Sequence, residues 1–454
     1  MKRIGCLAVS LFALMVRGGA DPARIEWFKD QKLALMMHFG LYSEVGIIES
    51  WPLSDADAYW ARTEVERDVA TNGLKEAYFA LNRSFNPVRF RPDEWADEAV
   101  RGGFKYVIFT TKHHDGFCLY DTKYTDYKVT DKSCPFSTNP NADIVKAFFD
   151  ACRKRELGIG AYFSKPDWHS EDFWEDCGRG RQTNRGLTYD RTSDPSRWRR
   201  FVRYFKNQVL ELVGGYGPID ILWMDGDWID MDAEMGDVIA AARKIEPGLI
   251  SVDRHRNNGY EDVRTPEQVV PGKADSQAWE SCITMASNWG YHYDDLYKSP
   301  RELIHTLVDV VAKGGNLALN VGPMPDGRLP HPAVVRMREM GKWLKVNGEA
   351  IYATRPMAPC RLGAWAFTQS KSGRRYAIRL WDERSETSTL FIRQADDARE
   401  PLFSDVKAFR HLGSDTVVQT QRVNNGILNE YGVSAQLPES FVRDAYADVF
   451  ELIK

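Results

Sequence analysis

Two acidic residues, Asp225 and Glu267, stand where carboxylates could act together on one bond. Asp225 directly follows the apolar run Ile219–Met224 and precedes Gly226. Burying a charge at the end of a strand is costly, so Asp225 needs a catalytic, capping or ion-pairing reason to be there. Glu267 lies in a loop-like segment that Pro266 interrupts, where a lone glutamate is usually just solvated. As a pair, however, two carboxylates on neighbouring loops are what hydrolysis of a glycosidic bond requires.

Adjacent histidines form a second candidate group. His113 and His114 follow the apolar run Tyr106–Phe109. Neighbours on a regular strand face opposite sides, so we expect the pair to be divided, with one imidazole in the core. Metal ligands on a strand share one face, so this spacing favours hydrogen bonding to a polar substrate over metal binding. We therefore predict no metal or cofactor.

The elements that must position these residues alternate between strands and helices. Apolar runs that end in polar or titratable residues predict strands at Leu33–Met37, Tyr106–Phe109, Ile159–Ser164, Ile219–Met224, Leu249–Val252 and Asn316–Val321. Helical spacing of apolar residues predicts helices at Asp93–Gly102, Ala142–Leu157, Arg197–Val213, Met231–Ile245, Pro300–Ala312 and Pro332–Val346. This alternation predicts an α/β fold, a (β/α) barrel that is TIM-like though possibly irregular, with its active site at the C-terminal strand ends.

The chain of 454 residues is too long for one ordinary domain. Beyond Tyr352 the pattern changes to short strands with polar turns, as at Ala364–Thr368, Arg375–Leu380, Ser388–Ile392, Val417–Thr420 and Asp448–Ile453. This predicts a C-terminal antiparallel β-sandwich. We therefore expect a catalytic barrel at residues 21–350 and the sandwich at residues 351–454.

Composition and the N-terminal segment limit the partners and the location. A net charge of −4, without clustered basic residues on a helix face, argues against nucleic acid as a partner. Residues 1–20 begin with Lys2 and Arg3, continue through the apolar run Ile4–Val16 and end at Ala20, which is typical of a cleaved signal peptide. The apolar run is too short for a membrane span. We expect export to a periplasmic or extracellular location, or to a lysosome if the source is eukaryotic.

Several sequence blocks, in the same order, resemble the retaining α-L-fucosidases of glycoside hydrolase family 29. The blocks are Leu35–Ser43, Thr110–Phe117, Trp223–Gly226, Trp279–Cys282, Asn288–Tyr291 and Lys313–Pro323. The block Thr-Thr-Lys-His-His-Asp-Gly-Phe at 110–117 is the most specific of them. The resemblance covers roughly residues 25 to 350 and implies a barrel enzyme that acts on fucosylated oligosaccharides or glycoconjugates.

The resemblance also implies a role for individual residues. Asp225 corresponds to the nucleophile and Glu267 to the general acid/base, with Glu280 as the competing candidate for the acid/base. The remaining implied contacts to the sugar are the hydroxyl-binding residues His38, His113, His114 and Tyr162, Arg254 near the nucleophile, the aromatic wall of Trp223 and Trp289 around the methyl group, and Glu49 in place of the family's Glu-Trp-Tyr element.

Departures from the family pattern leave other substrates and functions open. Phe39 stands where the family usually has Trp, Phe163 where Tyr is usual, and Met36 where an aromatic residue is common, so the substrate range could extend to a related sugar such as an α-L-galactoside. A metal-dependent barrel hydrolase that uses His113 and His114, and an inactive glycan-binding protein, are alternatives of a different class. The sequence does not indicate an oligomeric state.

Overall fold

The computed structural model describes residues 19–61, 71–254, 259–382, 388–393, 402–425 and 430–454. The predicted signal peptide lies outside these residues except for its last two positions. In the described part of the chain, no helix is both long and apolar enough to cross a bilayer.

Seven parallel strands form the first sheet. Their bounds are β1 Leu33–Met37, β2 Tyr106–Lys112, β3 Gly158–Ser164, β4 Ile221–Asp225, β5 Ile250–Val252, β6 Glu280–Thr284 and β7 Asn316–Val321. The strand order is β5-β4-β3-β2-β1-β7-β6, and every neighbouring pair is parallel. Six of these strands are the predicted ones. Strand β6 was not predicted, because Glu280, Ser281 and Thr284 interrupt its apolar character.

An extended segment at residues 262–268 lies between the edge strands β5 and β6 and hydrogen bonds to both. The amide of Asp262 donates to the carbonyl of Ser251 on β5. On the other side, Glu280 and Cys282 of β6 donate their amides to Arg264 and Pro266. The segment thus takes the place of an eighth strand, although Pro266 lacks the N–H that a regular ladder needs. It carries Glu267 to the same end of the barrel as the C-termini of the strands.

Helices lie between the strands and along the chain as α1 Pro22–Gln31, α2 Tyr42–Val45, α3 Thr71–Phe79, α4 Pro92–Arg101, α5 Ile144–Arg153, α6 Pro195–Gly215, α7 Asp232–Ile245, α8 Pro300–Ala312 and α9 His331–Asn347. Short 3₁₀ turns occur at Trp51–Leu53, Tyr59–Ala61, Ala80–Arg83, Pro135–Thr138, Glu175–Gly178 and Gly348–Ala350. Local sequence explains several helix starts. Helix α8, for example, begins with a capping box: the backbone amide of Glu302 donates to the Ser299 hydroxyl, and the backbone amide of Ser299 donates to the Glu302 carboxylate.

Eight antiparallel strands form the C-terminal sheet, in the order β11-β14-β13-β12-β15-β10-β9-β8. Their bounds are β8 Thr354–Leu362, β9 Trp365–Ser370, β10 Arg375–Leu380, β11 Thr389–Arg393, β12 Ala408–His411, β13 Val417–Asn425, β14 Glu430–Gln436 and β15 Ala447–Ile453. The sheet curls so that the Trp365 indole donates to the carbonyl of Phe391 on the far strand β11, at 2.8 Å. Both ends of the sheet therefore enclose one apolar core. This confirms the predicted fold class, while the boundary near residue 350 stays a prediction.

A buried lysine lies at the N-terminal end of the barrel, opposite the site described below. Lys32 directly precedes β1, is fully buried, and its amino group has no hydrogen-bond partner among the described residues. Burial lowers the pKa of Lys32 to about 7. The fold therefore tolerates an ammonium that it stabilises poorly.

Candidate active site

A cavity of about 400 Å³ opens at the C-terminal ends of the parallel strands. It is lined by ten of the eleven side chains that the sequence suggested: His38, Glu49, His113, His114, Tyr162, Trp223, Asp225, Arg254, Glu267 and Trp289. These residues come from strands β3 and β4, from the connections that follow β1, β2, β5 and β6, and from the extended segment at residues 262–268. The barrel brings them together because the C-termini of parallel strands meet at one face.

Asp225 is the last residue of β4, and its carboxylate is held from three directions. The Tyr162 hydroxyl donates to Oδ2 at 2.5 Å, the Gly226 amide donates to Oδ1 at 2.8 Å, and the Arg254 guanidinium donates to Oδ1 at 3.2 Å. Burial by itself raises the pKa of Asp225, but Arg254, His114 and these hydrogen bonds lower it to about 2. The side chain is therefore an anion throughout the neutral and mildly acidic range.

Arg254 joins the two candidate catalytic carboxylates. One terminal nitrogen contacts Asp225, and the other donates to Oε2 of Glu267. Burial would lower the pKa of Arg254, but the charges of Asp225 and Glu267 raise it. Glu267 itself is 39% exposed, so solvent or a large ligand can reach its carboxylate. No local residue pattern indicates this bridge, because the three residues lie on separate segments of the chain.

Glu280, the competing candidate, is the one suggested residue outside the cavity lining. It is the first residue of β6, so it lies at the N-terminal end of the barrel strands. The Tyr106 hydroxyl and the Trp223 indole, the latter at 3.3 Å, donate to its carboxylate. Burial raises the pKa of Glu280 to about 7. These contacts are those of a buried structural carboxyl group, and the placement favours Glu267 over Glu280 as a residue that meets substrate.

The histidine pair contradicts the expectation that its members face opposite sides. Strand β2 ends at Lys112, after a register irregularity near Thr110, so strand alternation does not extend to His113 and His114. Both imidazoles line the cavity, with ring centroids 4.2 Å apart. Burial lowers the pKa of both, in His114 to about 4. The two rings are therefore neutral at neutral pH.

Hydrogen bonds behind the cavity determine which nitrogen of two histidines carries the proton. Ser164 donates its hydroxyl to the Pro166 carbonyl at 2.8 Å, so it accepts from His114 Nδ1 at 2.6 Å. Asn320 accepts from His38 Nδ1 at 2.7 Å. Burial lowers the pKa of His38 to about 4, so Nε2 of each ring is an unprotonated acceptor. In His114 this nitrogen lies 3.8 Å from Oδ2 of Asp225.

Glu49 contributes a second kind of carboxyl group to the cavity. The Gly290 amide donates to its Oε1 at 2.6 Å, while Oε2 is buried without a hydrogen-bond partner among the described residues. Burial, reinforced by the charge of Glu267, raises the pKa of Glu49 to about 8. Glu49 is thus mainly protonated at neutral pH and can donate a hydrogen bond from its carboxylic acid.

Several cavity residues were not recognised in the sequence. Trp51, Trp60, Arg185, Asp227 and Trp228 line the cavity together with the suggested set. All except Asp227 and Trp228, which closely follow the Trp-Met-Asp-Gly block, come from long connections without strand signals. The position of a strand end could have indicated Asp227 and Trp228, but nothing in the local sequence indicated the others.

Across the part of the chain that the structure describes, no group of three or more His, Cys, Asp or Glu residues could hold a metal ion. The six cysteines in that part are unpaired, five of them buried.

Comparisons with known proteins show which proteins this chain is similar to. The family model described as "Alpha-L-fucosidase" matches residues 20–349. Plasma alpha-L-fucosidase of Rattus norvegicus is 30% identical over 361 residues, which cover 72% of this chain and 70% of the relative. Alpha-L-fucosidase of Dictyostelium discoideum is 27% identical over 438 residues, covering 91% of this chain and 85% of the relative.

Solved structures extend the similarity to the C-terminal sheet. Alpha-L-fucosidase isoenzyme 1 from Paenibacillus thiaminolyticus superposes with a TM-score of 0.77 at 29% identity, covering 95% of this chain and 98% of that structure. The alpha-fucosidase of Thermotoga maritima, solved in complex with fucose, gives a TM-score of 0.74 at 27% identity, covering 94% of this chain and 96% of that structure.

Proposed function

Because this chain belongs to the alpha-L-fucosidase family of glycoside hydrolases, we propose that it removes terminal α-L-fucosyl residues from glycans with retention of configuration. Retention requires two displacements at the anomeric carbon. A carboxylate first forms a glycosyl-enzyme, and water then hydrolyses it. One observation carries this proposal. Asp225 is ionised at a strand end, and the Arg254 guanidinium donates both to Asp225 and to the accessible Glu267.

Asp225 is the proposed nucleophile. Its pKa of about 2 keeps it ionised, and the hydrogen bond from Tyr162 orients one oxygen while leaving the group within the cavity. An ionised, oriented carboxylate can attack the anomeric carbon without first losing a proton. Tyr162 stacks against Trp223 with ring centroids 5.4 Å apart, which restrains its hydroxyl.

Glu267 is the proposed general acid, and later the base. It must donate a proton to the glycosidic oxygen as the bond to the anomeric carbon breaks, and then accept one from the attacking water. In the free enzyme its carboxylate contacts Arg254. We infer that substrate entry displaces Glu267 from Arg254 and that Glu267 takes a proton from solvent, which it then donates to the leaving oxygen, while Arg254 keeps its bond to Asp225. Its partial exposure suits a residue that must meet both a leaving group and water.

Neutral donors and acceptors suit the hydroxyl groups of one terminal sugar. The Nε2 atoms of His38 and His114 can accept hydrogen bonds, and the protonated Glu49 can donate one. Tyr162 and Trp223, each 1% exposed, close the deep part of the cavity. A closed end that accommodates one sugar unit supports action on chain ends, and Trp289 offers an apolar surface for the methyl group of a 6-deoxy sugar.

The N-terminal pattern supports a further proposal, that the enzyme is exported after cleavage of residues 1–20. N-terminal sequencing of protein from the native host tests this directly. An N-terminus at Asp21 is expected, whereas recovery of Met1 or Lys2 would contradict export by cleavage.

The test of the reaction follows the first product by NMR during hydrolysis of an aryl α-L-fucoside. Retention predicts that α-L-fucose appears before mutarotation. Asp225→Ala should lower kcat by about 10³-fold or more, since nucleophile loss removes the covalent route, and added azide should restore turnover as β-L-fucosyl azide. Asp230→Ala is the matched control, because Asp230 is an exposed carboxylate on the same connection outside the cavity lining. β-L-Fucose as the first product, or an active Asp225→Ala enzyme without azide, would contradict the mechanism.

A further inference from the structure

The mouth of the cavity carries a cluster of aromatic rings that the proposed chemistry does not use. We name Trp51, Trp60, Trp228 and Arg185 the rim cluster. The Trp51 ring lies 5.8 Å from Trp60 and 5.4 Å from Trp228, measured between centroids. The Arg185 guanidinium carbon lies 4.9 Å from the Trp51 centroid and 5.5 Å from that of Trp228. The four side chains therefore form one continuous surface.

Exposure divides the cavity into a deep part and a rim. Trp60 is 50% exposed, whereas Trp223 and Tyr162 at the deep end are nearly inaccessible. An indole left half in solvent gains little from burial within its own chain, so it is available to a ligand. If the terminal sugar occupies the deep end, the remainder of the glycan must leave the cavity past the rim cluster.

Arg185 is fixed in place with unused donors. Its Nε donates to Asp57 Oδ2 at 2.8 Å, and its backbone amide donates to Asp57 Oδ1 at 3.2 Å. The Trp228 indole donates to the Arg185 carbonyl at 3.0 Å. The two terminal nitrogens of Arg185 make no hydrogen bond to the described residues, and the guanidinium is planar with its donors in a fixed fork. It can therefore donate to a ligand oxygen at little cost in side-chain entropy.

We propose that the rim cluster is a leaving-group subsite, which binds the neutral sugar unit that carries the terminal fucose. The apolar C–H face of that sugar packs on Trp60, and the terminal nitrogens of Arg185 donate to one of its ring or hydroxyl oxygens. A neutral unit fits because Asp57 already pairs with Arg185 and the carboxylate of Asp227 lines the same cavity. This proposal rests on the fucosidase activity proposed above and extends it to the choice of glycan.

The experiment compares two substrates with similar leaving-group reactivity. Methyl α-L-fucoside and α-L-fucosyl-(1→2)-galactose both release an alcohol, but only the second places a sugar at the rim. For Trp60→Ala, kcat/KM on the disaccharide should fall about tenfold relative to kcat/KM on the methyl fucoside, which corresponds to about 1.4 kcal/mol. Arg185→Met should lower the same ratio, and Arg185→Lys should restore only part of it because a single ammonium lacks the fork.

Controls separate this proposal from misfolding and from failure of the proposed activity. Tyr293→Ala removes an aromatic residue that is 77% exposed but does not line the cavity, so its ratio should equal that of the wild type. Trp60→Phe keeps a ring and should retain most of the ratio, which guards against loss of fold in Trp60→Ala. If Trp60→Ala leaves the ratio unchanged, including by an equal fall in kcat/KM on both substrates, the rim cluster is not a leaving-group subsite. If the wild-type enzyme cleaves neither of the two fucosides, the proposed function itself is contradicted.

Discussion

Replacing Arg254 by methionine should make catalysis sensitive to mild acid. Methionine keeps an unbranched side chain of similar reach but removes the positive charge that lies 3.2 Å from Asp225. Burial raises the pKa of Asp225, and Arg254 is the strongest of the influences that lower it. Without Arg254, only His114 and the hydrogen bonds from Tyr162 and Gly226 remain to oppose the effect of burial on this pKa.

The magnitude follows from the pKa of Asp225 in the intact site. That pKa falls from the ordinary value of 3.8 to about 2, which is about 2.4 kcal/mol in favour of the ionised form, at about 1.4 kcal/mol per pKa unit. Because burial acts in the opposite direction, loss of Arg254 should take the pKa above its ordinary value, into the range of about 4 to 6. The nucleophile works only when ionised, so activity should fall as the pH drops through this range.

The assay is kcat/KM for an aryl α-L-fucoside measured from pH 3.5 to pH 8, which reports the ionisations of the free enzyme. An aryl leaving group is chosen because it needs little protonation, which reduces the influence of Glu267. The wild type should show no loss from Asp225 in this range, whereas Arg254→Met should show an acid limb between pH 4 and pH 6. Arg254→Lys serves as the control, since it keeps the positive charge and should therefore show no acid limb above pH 4.

Two results would refute this reasoning. One is an Arg254→Met profile that stays flat down to pH 4, which would mean that Arg254 does not keep Asp225 ionised. The other is disappearance of the new limb in the double variant Glu267→Gln/Arg254→Met, which would assign the limb to Glu267 instead. Thermal unfolding of each variant should accompany the kinetics, because loss of folded protein at low pH would imitate an acid limb.

Three further predictions concern other parts of the molecule. Glu267→Ala should reduce kcat/KM far more for methyl α-L-fucoside than for an aryl fucoside. Glu280→Ala should instead lower Tm and affect both substrates alike, since it leaves two buried donors unpaired. The opposite pattern would exchange the roles of the two residues. Trp289→Ala should lower the preference for aryl α-L-fucoside over aryl α-L-galactoside by up to about a hundredfold, which is the most that an apolar wall disfavours an added hydroxyl. If the ratio of kcat/KM between these two substrates does not change, Trp289 does not line the methyl pocket. In the wild type, the free energy of unfolding should rise between pH 7 and pH 10.5, because the unfolded chain still binds a proton on Lys32 that the folded chain has lost. Lys32→Met should abolish this rise and should increase the free energy of unfolding at pH 6 by about 2 to 5 kcal/mol. Denaturant unfolding at pH 6 and pH 9 checks both effects.

Strand positions and their polar ends were predictable from sequence because continuous apolar runs have few other interpretations. The runs ending near His38, His113 and Asp225 became β1, β2 and β4 with small changes of boundary. Strand β6 escaped prediction because a buried carboxylate and hydroxyl groups disguise it. In the C-terminal sheet, β8, β12 and β14 were missed, because β8 contains two prolines, β12 has only four residues, and β14 mixes apolar residues with polar residues and a glycine.

The sequence by itself determined the fold class and the presence of a polar cluster at the strand ends, since apolar periodicity and strand termini are local properties. Only the tertiary structure separates Glu267 from Glu280, because it places Glu267 in the cavity lining and Glu280 in the barrel interior outside that lining. It also turned both His113 and His114 toward the cavity, because β2 ends one residue before them. Contacts such as those of Arg254 depend on chain segments meeting in space, and no local pattern records which distant side chains will share one charge.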